Sequence, residues 1–288
     1  ELEDAFRLFQ ILNDRGIPLS TSDVLKSMNI GEVASAEKKR MYARDWEEME
    51  GYFGRDDFDR FLNHVRTVLL KDKPRESLLK EWERIYREQL LHKGRPTLDL
   101  LRSYREHFAR LIELESTDLP IQTANLIAIM KVGLATDWIP PLLCYYQKFH
   151  DEGLQAFIEK LESKFAADWI LRLSPGQRLS NTYAIVRAIE RETSPEALVA
   201  SAEVFGYDRD ELRQRISGEV YQERFVKHLL LKVEYLLQSP NQRFPHFNRV
   251  SVEHVLPQNP SQGSPWFEKF EEAQRTEWTH RLANLVLL

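Results

Sequence analysis

The sequence has one cysteine, Cys144, among its 288 residues. That excludes an intrachain disulfide and a cysteine-built zinc site, and it suits a reducing, cytoplasmic compartment. Glycine (11) and proline (13) are scarce, so few positions interrupt a helix. No run approaches the ~18 consecutive apolar residues that span a bilayer, and no membrane partner is expected. An excess of positive charge is lacking too, since the formal net charge is −5. Holding nucleic acid by bulk positive charge is thereby excluded, whereas contact through a local patch or a bound cation is not. The chain opens on Glu1-Leu2-Glu3-Asp4 without a basic-then-apolar leader and closes on the apolar run Leu285-Val286-Leu287-Leu288. Both ends are expected to be cut from something longer.

What is present is a helical period. A hydrophobic share of 42% beside 30% charged residues supports a substantial core rather than a disordered chain. Leu78, Leu79, Trp82, Ile85, Tyr86, Gln89 and Leu90 recur at threes and fours, as on one helix face. Pro74 suits the first turn of that helix and Gly94 follows its end. Phe157, Ile158, Leu161, Phe165, Trp169 and Ile170 repeat the pattern, as do Phe225, Val226, Leu229, Leu230, Val233, Leu236 and Leu237. Ser194-Pro195-Glu196 reads as N-cap, first-turn proline and a carboxylate at the positive helix end. About a dozen helices are expected up to Leu237. The fold class is mainly α, a multi-helix, bundle-like region.

After Leu237 the pattern changes. Residues 238–248 hold Pro240 and Pro245 and suit a junction. Val250-Ser251-Val252-Glu253-His254-Val255-Leu256-Pro257 is a short β-branched segment stopped by proline. Residues 266–279 read as helical, and Leu282–Leu288 as a strand opened by Asn284. A small, incomplete α+β element of ββα-metal type is expected from residue 250. Of the eight histidines, His64, His92, His107, His150 and His228 sit in helical stretches with no metal-ligand spacing and read as surface or packing residues. His246 lies in the junction, and His280, ahead of the last strand, reads as a surface residue.

His254 differs, because a carboxylate precedes it and two apolar residues and a proline follow. An imidazole that takes a proton from water, beside a carboxylate that holds a divalent cation, is what phosphodiester cleavage needs. A bulge at the strand end would be required to aim both side chains at one place. Alone the dipeptide says little, and Asn284 alone is an ordinary turn asparagine. Together, Glu253-His254-Val255-Leu256-Pro257-Gln258, the tryptophans Trp266 and Trp278, and Ala283-Asn284-Leu285-Val286-Leu287-Leu288 resemble the HNH, or His-Me finger, domain of GmrSD-type restriction endonucleases. The resemblance implies His254 as general base, Glu253 at a metal-ligand position and Asn284 bracing the loop that orients the histidine. It implies Mg²⁺ or Mn²⁺ as cofactor and DNA, modified DNA included, as substrate. A third family element, a helix that completes the metal site, is expected beyond Leu288.

The opposite end carries a second resemblance. Phe9-Gln10-Ile11-Leu12-Asn13-Asp14-Arg15-Gly16-Ile17-Pro18-Leu19-Ser20, then Asp23-Val24-Leu25-Lys26, is physically a helix end at Gly16 and a new helix capped by Ser20 and Asp23. As a string it is similar to the closing segment of the GmrSD N-terminal domain, which binds and hydrolyses nucleoside triphosphate. The Asp-Gly-Gln-Gln-Arg segment of that domain has no counterpart here. Gly176-Gln177-Arg178 is the nearest string and reads as a turn between helices. Asn13, Asp14 and Arg15 fit either a structural or a nucleotide-facing role. Residues 55–110 hold 14 Lys and Arg against 10 Asp and Glu, a local excess that suits a solvated helix surface better than a phosphate contact.

The expected organisation is a closing N-terminal segment at residues 1–30, a helical middle at 31–249 and the beginning of an HNH-type domain at 250–288. The expected function is that of a piece of a metal-dependent restriction or phage-defence endonuclease, with self-association compatible. The alternative is a non-catalytic helical interaction or regulatory module.

Overall fold

The computed structural model describes residues 20–113, 118–244 and 250–288. The string from Phe9 to Leu19, with Asn13, Asp14 and Arg15, therefore lies outside the described residues, as does His246. The structure is mostly α-helical, with a small antiparallel pair of strands near residue 288. Among the described residues no helix is long and apolar enough to cross a membrane. The chain divides into two compact units, Glu1–Phe108 and Ala109–Leu288.

In the first unit, Ser20 and Asp23 start helix α1 (Thr21–Gly31) with a reciprocal capping box. The Ser20 hydroxyl accepts from the Asp23 amide at 3.1 Å, and the Asp23 carboxylate accepts from the Ser20 amide at 2.9 Å. Helices α2 (Ala36–Phe53), α3 (Arg55–Leu70) and α4 (Leu78–Arg87) follow, and α5 (Arg95–Ile112) begins within the unit. Trp46, Phe58, Phe61, Leu62, Val65, Trp82 and Ile85 are buried. Gly94, at φ +83°, precedes α5, where a Cβ would come within 3.1 Å of the Glu32 Cβ. Its amide donates to the buried Asn29 Oδ1 at 3.0 Å.

A buried ion pair organises the connection into α4. Arg66 and Glu81 meet at 2.6 Å with almost no exposure. Arg66 also donates to the Asp72 carbonyl at 2.6 Å, while Glu81 Oε1 accepts from the Arg75 and Glu76 amides at 2.9 and 3.2 Å. Burial raises the Glu81 pKa, but Arg66 and those amides outweigh it and hold the carboxyl below its ordinary value. The same bonds correct the sequence reading of Pro74. It stays in the loop folded over Glu81, and the helix starts at Leu78 after Ser77. At the other end Gln89 takes a left-handed conformation (φ 56°) and Leu90 is exposed, so neither extends the buried face of Leu79, Trp82 and Ile85.

His64, half-buried on α3, sits in surroundings dry enough that desolvation lowers its pKa to about 4. Because the folded value is depressed below the unfolded one, this contribution to stability is present above pH 6.5 and lost as pH falls toward 4. Urea unfolding at pH 7 and pH 5 is expected to show a loss of up to about 2 kcal/mol. His64→Leu should remove that part of the pH dependence.

In the second unit, α6 (Ile121–Gly133), a 3-10 turn (Thr136–Trp138), α7 (Ile139–Phe149), α8 (Leu154–Ile170) and α9 (Pro175–Arg191) build the core. Tyr145 stacks on Phe157 at 3.9 Å among buried Trp138, Leu142, Ile158, Leu161, Ile185 and Ile189. Gly176-Gln177-Arg178 is not a turn between helices. It is the first turn of α9, closed by a capping box between Ser174 and Gln177. Short helices α10 (Pro195–Val199), begun by Ser194 as expected, α11 (Ala202–Phe205) and α12 (Arg209–Ile216) lead to α13 (Val226–Leu237). On α13 only the first half of the apolar stripe is covered, and Val233, Leu236 and Leu237 are exposed. A buried charge cluster ties α13 to α8, in which Glu162 accepts from His228 at 2.7 Å and Lys232 at 2.6 Å. Strand β1 (Val252–His254), helices α14 (Pro265–Lys269) and α15 (Glu272–Trp278), a 3-10 turn (Leu282–Asn284) and strand β2 (Leu285–Leu287) complete the unit.

Candidate active site

Strands β1 and β2 pair antiparallel, with Val252 opposite Leu287, Glu253 opposite Val286 and His254 opposite Leu285. A two-stranded ribbon is marginal by itself. This one rests on a cluster of Ile170, Val220, Phe225, Val226, Leu230 and Leu285, with Val252, Leu282 and Leu287 packed against it. The segment before α13 adds backbone support, since the Val220 amide donates to the His280 carbonyl at 2.8 Å and Glu219 bridges to Arg281.

The register is regular and holds no bulge, so Glu253 and His254 leave β1 on opposite faces. Glu253 is exposed, and His254 is half-buried. The expectation that Leu282–Leu288 forms one strand is corrected here. A 3-10 turn ends at Asn284, and the strand begins one residue later. Asn284 is buried and fully bonded. Its Oδ1 accepts from the Leu256 amide at 2.6 Å, and its Nδ2 donates to the Leu256 and Thr279 carbonyls at 3.0 and 2.9 Å. One side chain thus clamps the chain leaving His254 to the chain entering His280.

That clamp brings together residues that the sequence reading had kept apart. His254 Nε2 lies 3.3 Å from His280 Nδ1, so His280 is a neighbour of His254 and not a free surface residue. Tyr221 lies against both rings, tilted by 50° to His254 at a centroid distance of 4.1 Å and stacked on His280 at 5.6 Å. The Gln258 side-chain nitrogen lies 3.3 Å from His254 Nδ1 and 3.4 Å from His254 Nε2. Burial, with the neighbouring His280 in the same direction and Glu253 opposing, lowers the His254 pKa below its ordinary value. At neutral pH the ring is therefore uncharged and able to accept a proton. The place of His280 four residues ahead of Asn284 was the one available signal for it. Tyr221 had none.

Among the described residues no three His, Cys, Asp or Glu side chains converge as a metal site. With Glu253 on the far face of β1, these residues do not by themselves fit Mg²⁺ or Mn²⁺. The chemistry they carry is proton transfer at an oriented imidazole. In the first unit, arginines of the basic stretch are engaged with carboxylates: Arg60 with Asp57, Arg84 with Asp72 and Glu88, Arg95 with Asp99, and Arg66 with Glu81.

Residues 207–288, which contain this hairpin, the imidazole pair and the helices that support them, match the family described as GmrSD restriction endonucleases, C-terminal domain. That match is consistent with the C-terminal region of a GmrSD-type restriction endonuclease. No curated protein matches the chain.

Proposed function

We propose that the chain carries the DNA-cleaving end of a restriction endonuclease, with His254 as general base for phosphodiester hydrolysis. The observation that supports it most is the placement of the His254 ring beside Tyr221 and His280, next to the Asn284 clamp inside the matched segment. Such an imidazole takes a proton from water as the water attacks phosphorus. Asn284 acts by fixing the backbone on either side of the histidine pair. Modified foreign DNA as substrate and phage defence as purpose belong to the same proposal. So does the division into residues 1–30, 31–249 and 250–288. The requirement for Mg²⁺ or Mn²⁺ is a further part; it is supported by the matched family and not by Glu253, which leaves β1 on the face opposite His254.

The test is cleavage of supercoiled plasmid, modified and unmodified, by the full-length protein with Mg²⁺ or Mn²⁺ and nucleoside triphosphate, against a chelated control. Cation-dependent nicking or linearisation is expected. Intact plasmid under every condition would overturn the reading. It would favour the non-catalytic helical module.

A further inference from the structure

We propose that His254 and His280 together bind a Zn²⁺ ion, and that the bound ion holds the nuclease off by occupying the imidazole that serves as base. The inhibition rests on the nuclease reading above; the binding does not.

Spacing carries the first half. Zn²⁺ takes imidazole nitrogens at about 2.0–2.1 Å in tetrahedral geometry, which sets two of them about 3.3–3.4 Å apart. His254 Nε2 and His280 Nδ1 are 3.3 Å apart. Small turns of the two rings are enough to bring both lone pairs onto one ion. The same separation suits a hydrogen bond in either direction. Whichever ring donates, its hydrogen passes through solvent to the other nitrogen of that ring when the ion enters. The Gln258 amide stands 3.3 and 3.4 Å from the two His254 nitrogens, and a half-turn offers its oxygen as a third donor. Water completes the four, since both rings are half-buried and not enclosed.

The donor set also selects the cation. Imidazole suits Zn²⁺, whereas Mg²⁺ prefers oxygen ligands and keeps several of its waters. Burial and the neighbouring His280 lower the His254 pKa, so at neutral pH no proton has to be expelled from that ring. The rings are held near each other before any ion arrives. The His280 carbonyl accepts from the Val220 and Tyr221 amides at 2.8 and 3.2 Å, and Asn284 ties the Thr279 carbonyl to that of Leu256. Such preorganisation reduces the entropy lost on binding.

Inhibition follows from the electron count of the ring. A neutral imidazole has one lone pair. With that pair on Zn²⁺, the other nitrogen of His254 carries the hydrogen, and the ring has nothing with which to take a proton from water.

The experiment is titration of the untagged full-length protein with ZnCl₂ at neutral pH, read by calorimetry and by NMR of the imidazole rings. Plasmid cleavage with Mg²⁺ at rising Zn²⁺ runs beside it. The His254 and His280 signals are expected to shift together as one Zn²⁺ binds, and MgCl₂ alone should move neither. His254→Gln and His280→Gln should each lose that ion, while His92→Gln, on the exposed surface, keeps it. Cleavage should fall to background as the site fills and return with a zinc-selective chelator. Ring signals that ZnCl₂ leaves in place, or binding that survives either substitution, would overturn the site. Binding with undiminished cleavage would overturn the inhibition. Should the ion bind while His254→Gln cuts DNA as fast as the wild type, the zinc site stands and the nuclease reading fails.

Discussion

His254→Ala is expected to slow DNA cleavage by about 10²–10⁴, the usual cost of losing a general base. Binding of DNA should change little. The ring is half-buried and lies at a tilt against Tyr221, so alanine leaves a small surface gap rather than a core cavity. The hairpin register runs through backbone atoms and the Asn284 clamp through the Asn284 side chain, so both survive the substitution. The loss should therefore fall on kcat. Single-turnover cleavage at saturating protein measures it directly. Cleavage at the wild-type rate would mean that water is activated elsewhere.

Arg66→Ala is expected to be the most damaging single change to the first unit, at about 3–5 kcal/mol. It removes one half of an ion pair that has almost no contact with water and leaves Glu81 charged in the core. The Asp72 carbonyl also loses its donor, so the loop that carries Pro74 loses an anchor. The paired substitution Arg66→Met with Glu81→Leu removes both charges and should recover much of the loss, because desolvation of the pair no longer has to be offset. Urea midpoints for the single and double variants check this. A single variant within ~1 kcal/mol of the wild type would contradict it.

The helical class was legible because breakers are few and apolar residues recur at threes and fours, and caps such as Ser20 and Ser194 mark true starts. Boundaries were less so. Pro74 has the chemistry of a helix start, yet the backbone ahead of Leu78 is claimed by Glu81. Ser174 shows the reverse case, in which a Gly-Gln-Arg string that looks like a turn is helical because Gln177 completes a cap. At the candidate site, the segment around His254 and the Asn284 strand stood out by their residue order. The pairing of His254 with His280 bridges 26 positions and depends on the Asn284 side chain. No periodicity encodes such a contact. Tyr221 is more distant still, arriving from a segment whose sequence reads as part of a helix around Val220–Leu237, whereas the helix starts at Val226.

The buried Glu162–His228–Lys232 cluster has a bearing on how steadily the site is held. Helix α13 presents Val226 and Leu230 to the hairpin, while its His228 and Lys232 are anchored to α8. A hairpin of two three-residue strands contributes little to its own persistence. Its lifetime in the closed form is therefore borrowed from that anchor, and its amides should exchange with solvent at the pace at which α13 lifts away. A charge-neutralising change at Glu162 would then act on the histidine pair from a distance, shortening the fraction of time for which the two rings face each other.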